Sequence, residues 1–259
     1  MTMTMTMNLI GTGQTDVGQK RDYNEDSFDL DLEAGLLVLA DGMGGHAAGE
    51  VAARIATETV VEFVRGSAAE AESRAGSGVG ARGPAPANRL QAAIRLANEK
   101  IFKTIEEHPE MRGMGTTLVA VLCRGEGACI AHIGDSRAYL FRDGRLARLT
   151  DDHSWVSEQV RLGNLTSAEA VRHPFRNVIT RALGSSSDAV ADVKEIDLHR
   201  GDRLLLCSDG LTTMLDDAEI RDILEGCSGD PDAAANRLIE RANEAGGEDN
   251  ITVIVAGLA

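Results

Sequence analysis

Acidic residues recur in five short motifs of this chain. Glu25 and Asp26 lie in R-D-Y-N-E-D, Asp41 in A-D-G-M-G-G, Asp135 in G-D-S-R, Asp209 in S-D-G and Asp249 in E-D-N. Three of the motifs, those of Asp41, Asp135 and Asp209, follow apolar runs that read as strands. Carboxylates at strand ends beside glycine build an all-oxygen cage suited to hard divalent cations. An aspartate that bridges two cations needs both faces of its carboxylate free and a following backbone that comes close. Gly42 permits that approach without a Cβ clash, and its carbonyl can then act as a ligand. Such a cage beside an arginine is equipped for phosphate-ester hydrolysis. Each D-G taken alone is more often only a turn; the ordered set carries the reading.

Other chemistries fit less well. G-M-G-G-H-A at 42–47 follows a strand and opens a helix, as a dinucleotide fingerprint would. Asp41 would repel the pyrophosphate there, and Glu62 falls within the helix instead of at the end of a second strand. G-D-S at 134–136 could offer a nucleophilic serine, but no histidine has an aspartate three residues before it and no G-x-S-x-G occurs. The run from Asp29 starts like a calcium loop, lacks glycine at its sixth position and ends on Ala40. Solvated face residues account for it better.

The chain has 259 residues, 43% of them hydrophobic, enough for a substantial core. A formal charge of −15 disfavours nucleic acid and anionic membranes as partners. Cys123, Cys129, Cys207 and Cys227 form no C-x-x-C pair. The first three sit in apolar strand-like runs and read as buried free thiols of a reducing compartment. No 18-residue apolar run is present. M-T-M-T-M-T-M lacks the features of a signal peptide, so residues 1–7 read as a disordered leader and the location as cytoplasmic.

Residues 8–17 and 35–40 read as strands. A helix follows in which Val51, Ile55, Val60 and Phe63 fall close to one face. Residues 66–88 are rich in Gly, Ala, Ser, Pro and Arg and read as a flexible loop between two helices. Leu90, Ala93, Ile94, Ala97, Ile101 and Ile105 give the next helix. Strands follow over 115–123, 128–134 and 137–141, the last turning through R-D-G-R into L-A-R-L. His132, inside one of these runs, reads as a core residue. Helices are expected at 155–162, 167–171, 216–224 and 231–244, with strands at 193–198, 203–207 and the closing I-T-V-I-V-A. Grouped strands and grouped helices, without steady alternation, argue for an α+β fold with helices outside antiparallel sheets.

R-D-Y-N-E-D, A-D-G-M-G-G, M-G-T-T, G-D-S-R, S-D-G-L and E-D-N, in this order, resemble the motifs of the metal-dependent protein phosphatases of the PP2C or PPM type, in their bacterial branch. The resemblance covers about residues 8–257. It implies one domain over 8–259, a sandwich of two antiparallel sheets flanked by helices. It also implies two Mn²⁺ or Mg²⁺ ions with a weaker third, and phosphoserine or phosphothreonine proteins as substrates. Asp41 would bridge two ions; Asp209 and Asp249 would complete the first. Gly42 would bind the second through its carbonyl and Glu25 through water. Arg21 matches the phosphate-gripping arginine, Asp26 supports the site by hydrogen bonds, Asp135 matches a ligand of the third ion, and Asn250 orients Asp249. Two ions about 4 Å apart would activate a shared water for in-line attack on phosphorus, with no covalent intermediate. Crowded carboxylates would leave the cation-free protein less stable.

Two positions depart from the family pattern. Met43 stands where some relatives carry a histidine acid, which leaves His46 or a cation-bound water for that role. Thr213 stands where relatives often have an acidic residue, so the third site should be weaker. Residues 150–180, with His153, Arg161, His173 and Arg176, correspond to the family's flap; the two readings are a segment that contacts the phosphoprotein and a passive surface insertion. The resemblance suggests a monomer opposing a bacterial Ser/Thr kinase. The alternatives are a non-catalytic phosphoprotein-binding scaffold and a dedicated regulator phosphatase.

Overall fold

The computed structural model describes residues 9–44, 47–76, 85–227 and 229–258. The predicted leader, His46 and the middle of the 66–88 segment therefore lie outside the described residues. Among the described residues, eleven strands run in chain order: β1 Leu9–Asp16, β2 Asp26–Asp31, β3 Leu36–Met43, β4 Gly115–Thr116, β5 Leu118–Arg124, β6 Gly127–Ile133, β7 Arg137–Arg142, β8 Arg145–Arg148, β9 Asp192–Asp197, β10 Arg203–Cys207 and β11 Ile251–Leu258. The helices are α1 Ala47–Gly76, α2 Pro86–Glu107, α3 Trp155–Arg161, α4 Ser167–Val171, α5 Asp209–Thr212, α6 Asp217–Gly226 and α7 Pro231–Glu244.

The strands form two antiparallel sheets. One runs β1-β11-β10-β7-β8; the other runs β2-β3-β5-β6-β9, with β4 added beside β3. The alternation of side chains along a strand explains the layering. Leu36, Val38 and Ala40 of β3 face α1 and α2, while Leu37 and Leu39 face the other sheet. On β11, Val253 and Val255 face α6 and α7, while Ile254 and Ala256 meet Leu37 and Leu39 in the central layer. Both faces of these strands are covered, so they read as unbroken apolar runs in the sequence. The result is a four-layer α/β/β/α sandwich. Each leucine fully buried in it contributes about 2 kcal/mol relative to exposure.

Several expectations change. The helix-facing side of α1 is built on Ala52, Ala53, Ala56, Val60 and Val64, all fully buried; Val51, Ile55 and Phe63 are only partly buried. Alanines let the helix lie close on the sheet, which a search for large side chains overlooks. α1 also continues to Gly76, through the first eleven residues of the expected loop. The reason is local: Ala68–Ala75 is almost wholly Ala, Glu, Ser and Arg, mostly strong helix formers whether or not they bury anything. β2 was not expected, because its six residues are all half-buried and carry aspartates. Cys123 is only partly buried, whereas Cys129 and Cys207 are buried. Burial pushes the Cys207 thiol up to about 12.

Candidate metal centre

The acidic motifs meet at one end of the sandwich because the two sheets deliver them there. β2 pairs with β3 so that Asp26 lies opposite Asp41. β10 ends at Cys207 and the chain turns directly into α5, with Asp209 its first residue. Asp249 immediately precedes Asn250 and β11, the strand beside β10. Asp41 feels the charge of Asp209, and Asp209 that of Asp249. Carboxyls crowded in this way are relieved by a shared proton or a shared cation.

Burial and mutual repulsion raise the proton affinity of the group. Desolvation first, then the charges of Asp26 and Asp209, hold Asp41 well above the usual carboxylate range. Desolvation, followed by the charge of Asp249, raises Asp209 to about 6. Asp135 is raised to about 8, chiefly by burial and then by Asp209 and Asp152. Asp26 is raised to about 7 by burial, against hydrogen bonds from Thr252 Oγ1 at 2.6 Å and Ser208 Oγ at 2.8 Å. Burial also raises Glu25. Among the described residues, three buried oxygens find no partner: Glu25 Oε1, Asp26 Oδ1 and Asp135 Oδ1. Orphaned buried acceptors of this kind are rare in folded proteins. An all-oxygen donor set, with unpaired lone pairs and excess negative charge, fits hard divalent cations.

The backbone around Asp41 is held tightly. Asp41 N–H donates to Thr117 Oγ1 at 3.0 Å, and its carbonyl accepts from Thr117 N–H and Thr116 Oγ1, both at 2.9 Å. These threonines are the M-G-T-T motif, whose role was not legible from sequence. A Cβ on Gly42 would collide with the carbonyls of Gly49 and Glu25, so this position admits only glycine.

Arg21 Nη2 donates to Asp249 Oδ2 at 2.7 Å, with about half of the arginine side chain exposed. The guanidinium thus stands at the rim, with donors left for an anion. Asn250 lies elsewhere than expected. Its backbone N–H reaches Asp249 Oδ1 at 2.8 Å, but its side chain binds Glu25 N–H, Val17 O and Tyr23 O. It braces the 17–25 loop that carries Arg21 and Glu25, and orients Asp249 only through its main chain.

A cavity of about 630 Å³ opens from Asp135 and Asp209 beneath the 150–180 segment. Thr213, Arg148, Arg161 and Arg176 also line it. His153 behaves differently from the expectation for that segment. It is buried and turned toward the sheet. His132 is a core residue as expected, and it stacks on His153.

A family model described as Protein phosphatase 2C matches residues 12–244. The chain is 40% identical over 255 residues to the serine/threonine protein phosphatase PstP of Mycobacterium tuberculosis, covering 97% of this chain and 45% of that protein. It thus spans about half the length of the mycobacterial relative. It is 36% identical over 250 residues to the serine/threonine phosphatase stp of Listeria innocua, covering 93% of each. The crystal structure of M. tuberculosis PstP superposes with a TM-score of 0.86 at 38% identity, over 98% of this chain and 99% of that one. A second structure, the PstP catalytic domain in complex with two manganese ions, gives 0.84 at 37% identity over 98% and 100%. With a family model matched over residues 12–244, a relative 36% identical over 93% of each chain and a superposition over nearly the whole chain, the chain belongs to the protein phosphatase 2C family.

Proposed function

We propose that this chain is a metal-dependent protein phosphatase that hydrolyses phosphoserine and phosphothreonine in proteins. The observation that carries the reading is the convergence of carboxylates from β2 and the residue before it, from β3, from the turn after β6, from α5 and from the residue before β11, with buried oxygens of Glu25, Asp26 and Asp135 left without a partner among the described residues, beside an accessible arginine. Asp41, Asp209 and Asp249, with the Gly42 carbonyl and Glu25, would hold two divalent cations, Mn²⁺ or Mg²⁺. Asp135 and Asp209 would hold a weaker third, since Thr213 supplies no carboxylate. When bound, such ions supply Lewis acidity and an activated water for in-line displacement at phosphorus. Two manganese ions in the PstP relative support this assignment.

The chain's own residues do the rest. Arg21 grips the phosphoryl oxygens, and its planar fork suits the charge that spreads over them. Asp26, fixed by Ser208 and Thr252, ties β2 across to the β10–β11 end of the other sheet beside the acidic centre. Met43 cannot donate a proton, so the leaving oxygen takes its proton from solvent in the cavity or from His46. Substrates are phosphoproteins, including those of a partner Ser/Thr kinase, and the enzyme acts as a cytoplasmic monomer. The non-catalytic scaffold is disfavoured because every acidic ligand type is in place.

The test is phosphate release from a phosphothreonine peptide with Mn²⁺, with and without EDTA. Turnover that ceases on chelation supports the proposal. Undiminished turnover after exhaustive chelation, or none with either metal, overturns it.

A further inference from the structure

Outside the acidic centre, one cluster gathers titratable groups on ordered backbone: His132 of β6, His153 and Arg181 of the 150–180 segment and its exit, and Asp192 of β9. Ligand-type atoms of His132, His153 and Asp192 lie within 4.8 Å of one another. That spacing alone would admit a metal. The orientation does not. The two imidazoles are stacked, with centroids 4.7 Å apart and planes 14° from parallel, so their in-plane lone pairs cannot converge on one ion. His153 Nδ1 is already used, accepting from Gly134 N–H at 3.0 Å. Arg181 Nη1 stands 2.8 Å from His153 Nε2, where a cation would have to sit.

The hydrogen bonds describe a clasp. Nδ1 accepts, while Nε2 sits between Asp192 Oδ2 at 3.2 Å and Arg181 Nη1 at 2.8 Å. Arg181 Nη2 donates to Asp192 Oδ1 at 2.8 Å. The His153 backbone closes on both sides, with its N–H on Gly134 O at 2.9 Å and its carbonyl accepting from Thr180 N–H at 2.8 Å. The two preceding residues grip the same turn. Asp151 O accepts from His132 Nε2 at 2.9 Å, and Asp152 forks Arg137 at 2.9 and 2.7 Å. Residues 151–153 therefore bind both flanks of a turn whose middle is Asp135. Gly134 holds φ +105°, and a Cβ there would press on the Thr117 side chain, so the turn has one available shape.

We propose that His153 is a positioning residue: it fixes the Gly134–Asp135 turn through Nδ1 and so aims the Asp135 carboxylate into the cavity to complete a cation site. This deepens the phosphatase reading and rests on it for its catalytic consequence, though not for cation binding. The 150–180 segment and Asp135 then move as one unit. Anything that lifts the segment withdraws a ligand.

The experiment is a double-mutant cycle read by calorimetric Mn²⁺ titration, with phosphopeptide turnover measured alongside. His153→Ala should weaken the weakest Mn²⁺ step about tenfold, as Asp135→Asn does. In an Asp135→Asn background, His153→Ala should add nothing, the non-additivity expected of residues acting as one unit. His153→Asn, whose Oδ1 can replace the Nδ1 acceptor, should restore binding; His153→Gln, which reaches only the Nε2 position, should not. Additive losses, or equal behaviour of the Asn and Gln variants, would overturn the assignment. Should His153→Ala lower thermal stability too far for use, the Asn and Gln pair carries the test. Cation binding without turnover in the parent chain would sink the phosphatase reading and leave this one standing.

Discussion

An aspartate flanks each end of strand β10, and the two have opposite fates. Asp202, just before the strand, is 1% exposed and fully paired: Arg142 donates to both carboxylate oxygens at 2.7 and 2.5 Å, and His199 N–H adds a third bond at 2.7 Å. Burial pushes its proton affinity up, but those three donors hold it below the usual value. Asp209, just past the other end, faces Asp41, Asp249 and Asp135 and is raised to about 6. The same residue type on the same sheet is neutralised at one end by the protein and left unneutralised at the other. The first arrangement holds the fold together; the second costs stability until something cationic arrives.

The largest break in this contrast comes from removing a carboxylate at each end. Asp209→Ala should lower phosphopeptide turnover by more than about 1000-fold while raising the Tm of the chelated protein, because it relieves repulsion. A chelated variant that melts below its parent would contradict the account. Asp202→Ala should do the reverse. It should leave cation-dependent turnover intact and cost about 3 kcal/mol in urea unfolding, since Arg142 loses its partner beside a sheet edge.

The pH dependence sharpens the same contrast. Asp209, Asp26 and Asp135 have folded values of about 6, 7 and 8, above the value of about 4 typical of an unfolded aspartate. A raised folded value means that the folded state binds protons more readily. Stability is therefore fully present near pH 4 and is lost as pH rises toward 8. The Tm of chelated protein should fall across that window, and saturating Mn²⁺ should flatten the curve. A chelated protein whose Tm rises from pH 5 to pH 8 would count against the cluster. The smallest effect is expected from Thr213→Asp, which adds a carboxylate to the cavity wall beside Asp209. It should tighten the weakest Mn²⁺ step several-fold, seen by calorimetry, with little change in the two tighter ones.

Much of this was legible before any coordinates. The strands with both faces covered announced themselves as apolar runs, and α3, α4, α6 and α7 fell within a few residues of their expected bounds. β2 escaped because a half-buried strand with Asp26, Asp29 and Asp31 has no clean alternation. The tail of α1 escaped because absence of large apolar residues was weighed above helix propensity. Thr116, Thr117, Ser208 and Thr252 escaped as supports because a hydroxyl's partner is set by the fold, not by its neighbours in sequence.

What the amino-acid order determined by itself is the inventory: which acidic groups exist, in what succession, each next to a small residue that admits close approach. That information is local, carried by motif chemistry and strand periodicity. Only the tertiary structure decided which way His153 faces, that Asn250 braces the 17–25 loop, and that Asp202 is satisfied while Asp209 is not. Those outcomes depend on which strands become neighbours, and solvation and pairing of a charge are properties of the packed whole.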